Sequence, residues 1–98
     1  MATKPLSGPA RFQAIISGHV QMVGFRAFAE ARAGRCGASG YVRNLPTGQV
    51  EVVAEGDRRL LEEFLAELKR GPRGAHVREL RVNWEAPRGE FADFSVRF

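Results

Sequence analysis

The chain has 98 residues, 44% of them apolar, a formal net charge of +4 at pH 7 and one cysteine. That length suits one domain with its own core, and a lone Cys36 excludes an intrachain disulfide. No run approaches the roughly 20 apolar residues of a membrane-spanning helix, and the basic balance favours anionic partners without choosing among them.

Residues 1–10 include Lys4, Pro5, Gly8 and Pro9 and lack the apolar middle of a secretory signal. They read as a flexible N-terminal tail before a domain over 11–98, with the cytoplasm as the expected location. Phe12–Ser17 reads as a strand with Phe12, Ala14 and Ile16 on one face. Gly18 ends it, and His19–Gly24 leads into a helix over Phe25–Arg35, closed by Gly34 and Gly37. Ser39–Leu45 and Gln49–Glu55 form a hairpin about Pro46-Thr47-Gly48, with Val50, Val52 and Ala54 on one face. Asp57 is the expected N-cap of a second helix carrying the apolar stripe Leu60, Leu61, Phe64, Leu65 and Leu68, which Gly71-Pro72 stops. Val77–Trp84 is a strand with Leu80, Val82 and Trp84 as its buried face and Val77, Glu79, Arg81 and Asn83 opposite. Pro87-Arg88-Gly89 is a turn, and Phe91–Phe98 a last strand.

This order, β-α-β-β-α-β plus a terminal strand, predicts an α+β, ferredoxin-like sandwich: an antiparallel sheet, both helices on one face, and a short extra C-terminal strand. Cys36 reads as a small half-buried apolar residue, since nothing in its spacing to His19 and His76 argues for a catalytic thiol.

The chemistry concentrates in Gly18-His19-Val20-Gln21-Met22-Val23-Gly24-Phe25-Arg26, between a strand and a helix. Such a turn points backbone N–H groups into one concavity, and the helix start adds further free donors and a positive dipole end. Arg26 adds a planar charged fork that fits phosphate oxygens. Geometry of this kind implies an anion site and no more, since an ordinary tight turn with a surface arginine would look the same.

The wording of the sequence is more specific. Gly18-x-Val20-Gln21-x-Val23-Gly24-Phe25-Arg26, then Gly40-Tyr41-Val42-Arg43-Asn44-Leu45, then Gly48 and Val50-Glu51-Val52, resembles the acylphosphatase family. The resemblance extends through Ala54-Glu55-Gly56 and the closing Phe94-Ser95-Val96-Arg97-Phe98. It implies hydrolysis of the carboxyl–phosphate anhydride bond of acyl phosphates, with no cofactor and no metal. It implies a backbone cradle from Gly18 to Phe25, with Arg26 binding the phosphate. Asn44, on the residues alone a polar residue closing a strand, would orient the attacking water. The expected partner is a small acyl phosphate, with inorganic phosphate or sulfate at the loop. Nucleic acid, membrane and oligomerisation are not expected.

Three positions depart from the family's usual pattern. Met22 stands where Gly is usual, and the expectation is a negative φ there, with Met stiffening the loop. Thr47 replaces an acidic or amide residue, and Ala29 a hydroxyl that could support Arg26. Whether the Phe98 carboxylate reaches Arg26 is left open. Two rival readings carry less. An RNA-recognition domain shares the element order, but Gln49–Glu55 has no aromatic and the Lys/Arg-Gly-Phe signature is absent. A non-catalytic anion-sensing domain, like that in hydrogenase-maturation proteins, fits less well a chain of one domain without zinc-knuckle cysteines.

Overall fold

Strand β1 (Pro9–His19) leads into helix α1 (Phe25–Arg35), then the hairpin β2 (Ser39–Asn44) and β3 (Val50–Asp57), helix α2 (Arg58–Arg70), β4 (His76–Glu85) and β5 (Phe94–Arg97). The structure, a computed structural model, describes residues 8–98. The strands form one sheet in the order β4-β1-β3-β2-β5, with both helices on one face. The sheet and its first strand differ from the sequence reading. Strand β5 lies parallel to β2, Val42 beside Val96, so the sheet is mixed rather than wholly antiparallel. Strand β1 starts at Pro9, opposite Asp57, inside the stretch read as a tail. Residues 1–7 of that stretch lie outside the described residues.

The core lies between sheet and helices. Phe12, Ala14 and Ile16 of β1, Val42 of β2, and Val50, Val52 and Ala54 of β3 are fully buried there. Above them sit Phe25, Ala29 and Ala33 of α1 and Leu61, Phe64 and Leu68 of α2. Each large side chain so buried contributes about 1.5–3 kcal/mol. Phe12 meets Phe64 and Trp84, and Phe64 meets Phe94, at centroid separations of 5.6–6.0 Å, which ties both edges to the centre. The α2 stripe is Leu61, Phe64, Leu65 and Leu68. Leu60 points to solvent.

Local signals set the element ends. Asp57 caps α2 by accepting from the Arg59 N–H at 3.3 Å. Helix α1 ends on Gly37 at φ +64°, with Ala38 N–H donating back to the Ala33 carbonyl at 3.0 Å, a Schellman closure. In the hairpin, Gly48 N–H donates to the Leu45 carbonyl, and Gly48 takes φ +91° after Pro46-Thr47.

Strand β4 departs from simple alternation. Its register against β1 shifts between Ser17 and Gly18, so that Gly18 faces Val77 while Ser17 faces Glu79. Arg78 is the extra residue of a bulge. The slip puts Val77 on the core face with Leu80 and Trp84, where all three pack partly buried. Val82, on the same face between Leu80 and Trp84, is 37% exposed rather than buried as expected.

The open face is held by charge. Residues 86–93 cross from β4 at one edge to β5 at the other. Glu55 anchors them by accepting from the N–H groups of Arg88 (3.0 Å) and Gly89 (2.9 Å) and from Arg11 (2.7 Å). Arg11, 6% exposed, also meets Glu85 (3.1 Å) and Glu90 (2.7 Å).

Candidate active site

The loop between β1 and α1 is built by fixing alternate residues. Val20 is buried, and Val23 packs against the core. Between them, the Gln21 side-chain amide donates to the carbonyls of Leu45 (2.8 Å) and Gln49 (2.9 Å), tying the loop to the hairpin turn. Gly18 is required by close approach: a Cβ there would lie 2.1 Å from the His76 carbonyl oxygen. Gly24, the N-cap of α1, has φ +76° and no side chain to occupy the helix end.

Met22 corrects the sequence reading. Its φ is +63°, the left-handed region, not the negative value expected. The cause lies in its neighbours. With Val20 and Val23 anchored below and Gln21 pinned sideways, the chain must reverse at residue 22, and a left-handed residue makes that turn. The Met22 side chain meets no obstacle, being 99% exposed. The conformation itself costs a non-glycine residue about 1–2 kcal/mol.

The result is a row of free donors. Among the described residues, no backbone N–H from Gln21 to Ala27 donates to a protein acceptor; the first helical bond is Phe28 N–H to the Gly24 carbonyl at 3.0 Å. No acidic residue stands in the first turn of α1. The helix start therefore keeps both its donors and its positive dipole end.

Arg26 and Asn44 meet beside that row. Arg26 is the second residue of α1, and Asn44 ends β2 on the helix face, opposite Val50. Both line one cavity of about 340 Å³ together with Val20, Met22, Gly24 and Phe25. Gly18, His19, Gln21 and Val23 do not line it; Gly18 and Gln21 shape the loop from behind, and His19 is exposed at the end of β1 opposite His76. Among the described residues, the Asn44 amide makes no side-chain hydrogen bond and Arg26 no ion pair. The Arg26 guanidinium instead lies over the Phe98 ring, 4.6 Å from its centroid. The contact left open in the sequence is thus with the ring, not the carboxylate.

Phe98 and Glu30 also line the cavity, and sequence reasoning did not assign them there. A signal existed for Phe98: it shares the two-residue alternation of Phe94 and Val96, the β5 residues packed against the core. Ala29 is fully buried beneath the site and brings no polar atom to it. Cys36 is half-buried at the C-cap of α1, and burial, with Glu67 and Glu63 nearby, pushes its thiol pKa up, away from reactivity. Among the described residues, no group of three or more His, Cys, Asp or Glu is placed to hold a metal ion, and no helix is long and apolar enough to cross a membrane.

The arrangement presents one fixed cation, a run of unpaired N–H donors and a free amide around one small cavity. It can hold a tetrahedral anion and place a water beside it.

The chain is similar to known acylphosphatases in sequence and in fold. The family model described as Acylphosphatase matches residues 12–96. An acylphosphatase of Thermus thermophilus is 54% identical over 74 residues, which cover 76% of this chain and 84% of that protein. One of Dehalococcoides mccartyi is 44% identical over 87 residues, covering 88% and 96%. The crystal structure of acylphosphatase from Bacillus subtilis matches with a TM-score of 0.88 at 30% identity, over 91% of this chain and 99% of that one. A family match across both the loop and the β2 segment, with relatives 44% and 54% identical over 88% and 76% of the chain, means that the chain belongs to the acylphosphatase family.

Proposed function

We propose that acyl phosphate hydrolysis, the activity that gives the family its name, is carried out at the cavity where Arg26, Asn44 and the free N–H groups of Gln21–Ala27 converge. The phosphoryl oxygens take the N–H groups and the Arg26 fork. Asn44, neutral at every working pH, holds the water through its amide. The water oxygen bonds to phosphorus as the bond from phosphorus to the acyl oxygen breaks. The carboxylate leaves with the electron pair and needs no proton. The proton lost by the water passes to a phosphate oxygen.

Phosphoryl transfer depends mainly on positioning and on stabilising charge on the equatorial oxygens. Donors already fixed in place supply that stabilisation without reorganising. The observation that carries the reading is the run of N–H groups without acceptors beside an arginine without a carboxylate. The chain's own groups thus supply the charge stabilisation, so the enzyme works without a metal and takes inorganic phosphate or sulfate at the loop. It acts as a cytoplasmic monomer, in keeping with its single thiol. Nucleic acid is not its ligand: the central strands carry Glu51 and Glu55 on the open face and no aromatic there.

The test is hydrolysis of acetyl phosphate with a chelator present. Full activity is expected in the parent. Asn44→Ala should lose on the order of a hundredfold in kcat, as for other single positioning groups. Activity that vanishes with chelator would overturn the metal-free reading, and an unimpaired Asn44→Ala the role of Asn44.

A further inference from the structure

The cavity is larger than a phosphate needs, and its remaining walls are chemically one-sided. Beyond Arg26, Asn44 and Glu30 they are apolar, with Val20 and Val96 below and Met22 and Phe98 at the rim. Met22 is 99% exposed and Phe98 102% exposed, although they are among the few large apolar side chains left to solvent. Exposed apolar side chains gathered at one cavity mouth mark a binding surface. Among the described residues, the charged side chains lining the cavity are Arg26 and Glu30. Phosphate would engage Arg26, so a second anion on the substrate would find no cation left and would face Glu30.

We infer that Met22 and Phe98 form the two walls of an acyl-group subsite, and that with Glu30 they select acyl phosphates whose acyl group is neutral and apolar. The inference rests on the placing of the phosphate at Arg26. Met22 has a role here that explains a left-handed residue which is not glycine: the turn that frees the N–H donors also projects its thioether chain over the mouth. An unbranched, polarisable chain adapts to acyl groups of different length. Phe98, already stacked on Arg26, supplies a flat wall at the other side.

The experiment compares kcat/KM for acetyl, butyryl, hexanoyl and succinyl phosphate. The acetyl, butyryl and hexanoyl leaving groups are of similar acidity, so their ratios read contacts with the acyl group; the succinyl arm is read by its change on Glu30→Gln. The hexanoyl/acetyl ratio should be on the order of tenfold, given the gain per buried methylene and the partial cover of the subsite. Met22→Asn keeps a residue tolerant of the left-handed region and removes the apolar wall; with Phe98→Ser it should bring that ratio to about one. Butyryl should exceed succinyl phosphate by about tenfold at low salt, and Glu30→Gln should shrink that difference several-fold. Ratios, not single rates, are compared, so that any common effect of a substitution on the chemistry cancels. Parent ratios near one, or ratios unmoved by these substitutions while Arg26→Ala still lowers the rate on every substrate, would overturn the subsite alone. Undiminished activity of Arg26→Ala on every substrate would overturn the placing of the phosphate instead.

Discussion

Two arginines divide the molecule. Arg11 lies on the open face, 6% exposed, in contact with three carboxylates and with the ring of Phe91. Arg26 lies across the sheet at the start of α1, with an aromatic ring beneath it and, among the described residues, no carboxylate paired to it. The first cation is used up in holding the chain: through Glu55 it secures the crossover that carries β5 to the far edge. The second keeps its fork open, and the backbone beside it keeps its N–H groups open too. A charge fully satisfied within the fold supports structure, and one left without a counter-ion is available to a ligand. The two regions should therefore respond to substitution in opposite ways.

The largest expected effect is at the open cation. Arg26→Ala should lower kcat/KM for acetyl phosphate about 10²–10³-fold, the range for removing one transition-state donor. Urea unfolding should move by less than about 0.5 kcal/mol, since no internal partner is stranded. Arg26→Lys keeps the charge and loses the fork, so it should recover only part of the rate. A variant that lost both activity and stability would erase the contrast with Arg11.

Arg11→Ala should do the reverse. Removing one member of a buried ion pair leaves its partner's charge uncompensated, which costs about 3 kcal/mol when, as here, other donors to that partner remain. The Arg88 and Gly89 N–H groups are those donors. Steady-state kinetics on the folded fraction should stay within a few-fold of the parent. A loss below about 1 kcal/mol in urea unfolding would mean that the crossover is held by packing at Phe91 and Tyr41 rather than by charge.

The same network sets an acid limit. Burial alone pushes the Glu55 carboxyl up, but the Arg88 N–H, the Arg11 guanidinium and the Gly89 N–H outweigh it and hold the pKa below the ordinary 4.5. A depressed carboxylate stabilises the fold above its unfolded pKa, and that contribution is lost as pH falls through the folded value. Stability should thus decline as pH drops below about 4.5, through the Glu55 folded pKa. In Glu55→Gln, less stable at neutral pH, that acid slope should be shallower. An unchanged slope would assign the acid limit to other carboxylates.

Local features were legible in the sequence because neighbouring residues decide them. The Asp57 cap, the Pro46-Thr47-Gly48 turn, the Gly37 closure and the inward alternation of β1 and β3 each follow from a few adjacent positions. The parallel pairing of β5 was not legible, because it depends on where residues 86–93 cross, and that is set by Glu55, over thirty residues earlier in the chain. The bulge at Arg78 hid Val77 for a similar reason. Alternation in β4 reads the same with or without an extra residue, and only pairing with Gly18 shows it. At the site, the loop and Asn44 were legible by family resemblance, and chemistry alone reached only an anion cradle. Phe98 was visible as a strand end, and its contact with Arg26 was raised only through the carboxylate; the ring as the contacting group was not legible, since it joins residue 98 to a helix start.

Met22 tests the contrast at its finest scale. On the Arg11 side the packed charges leave little room for strain, whereas the loop beside Arg26 carries a non-glycine residue at φ +63° with its side chain in solvent. Met22→Gly removes about 1–2 kcal/mol of conformational cost and returns about 0.5–1 kcal/mol through the greater freedom of the unfolded chain. The difference is a gain of roughly 0.5 kcal/mol, readable as a rise in the urea midpoint at unchanged slope. The negative φ expected from sequence would give the opposite sign, since glycine would then add only unfolded-state freedom. A gain would mean that the loop stores strain where the donors are freed. A loss would mean that the Met22 side chain holds the loop through contacts with the rim, and that the open region is stiffened much as the closed one is, by what surrounds it.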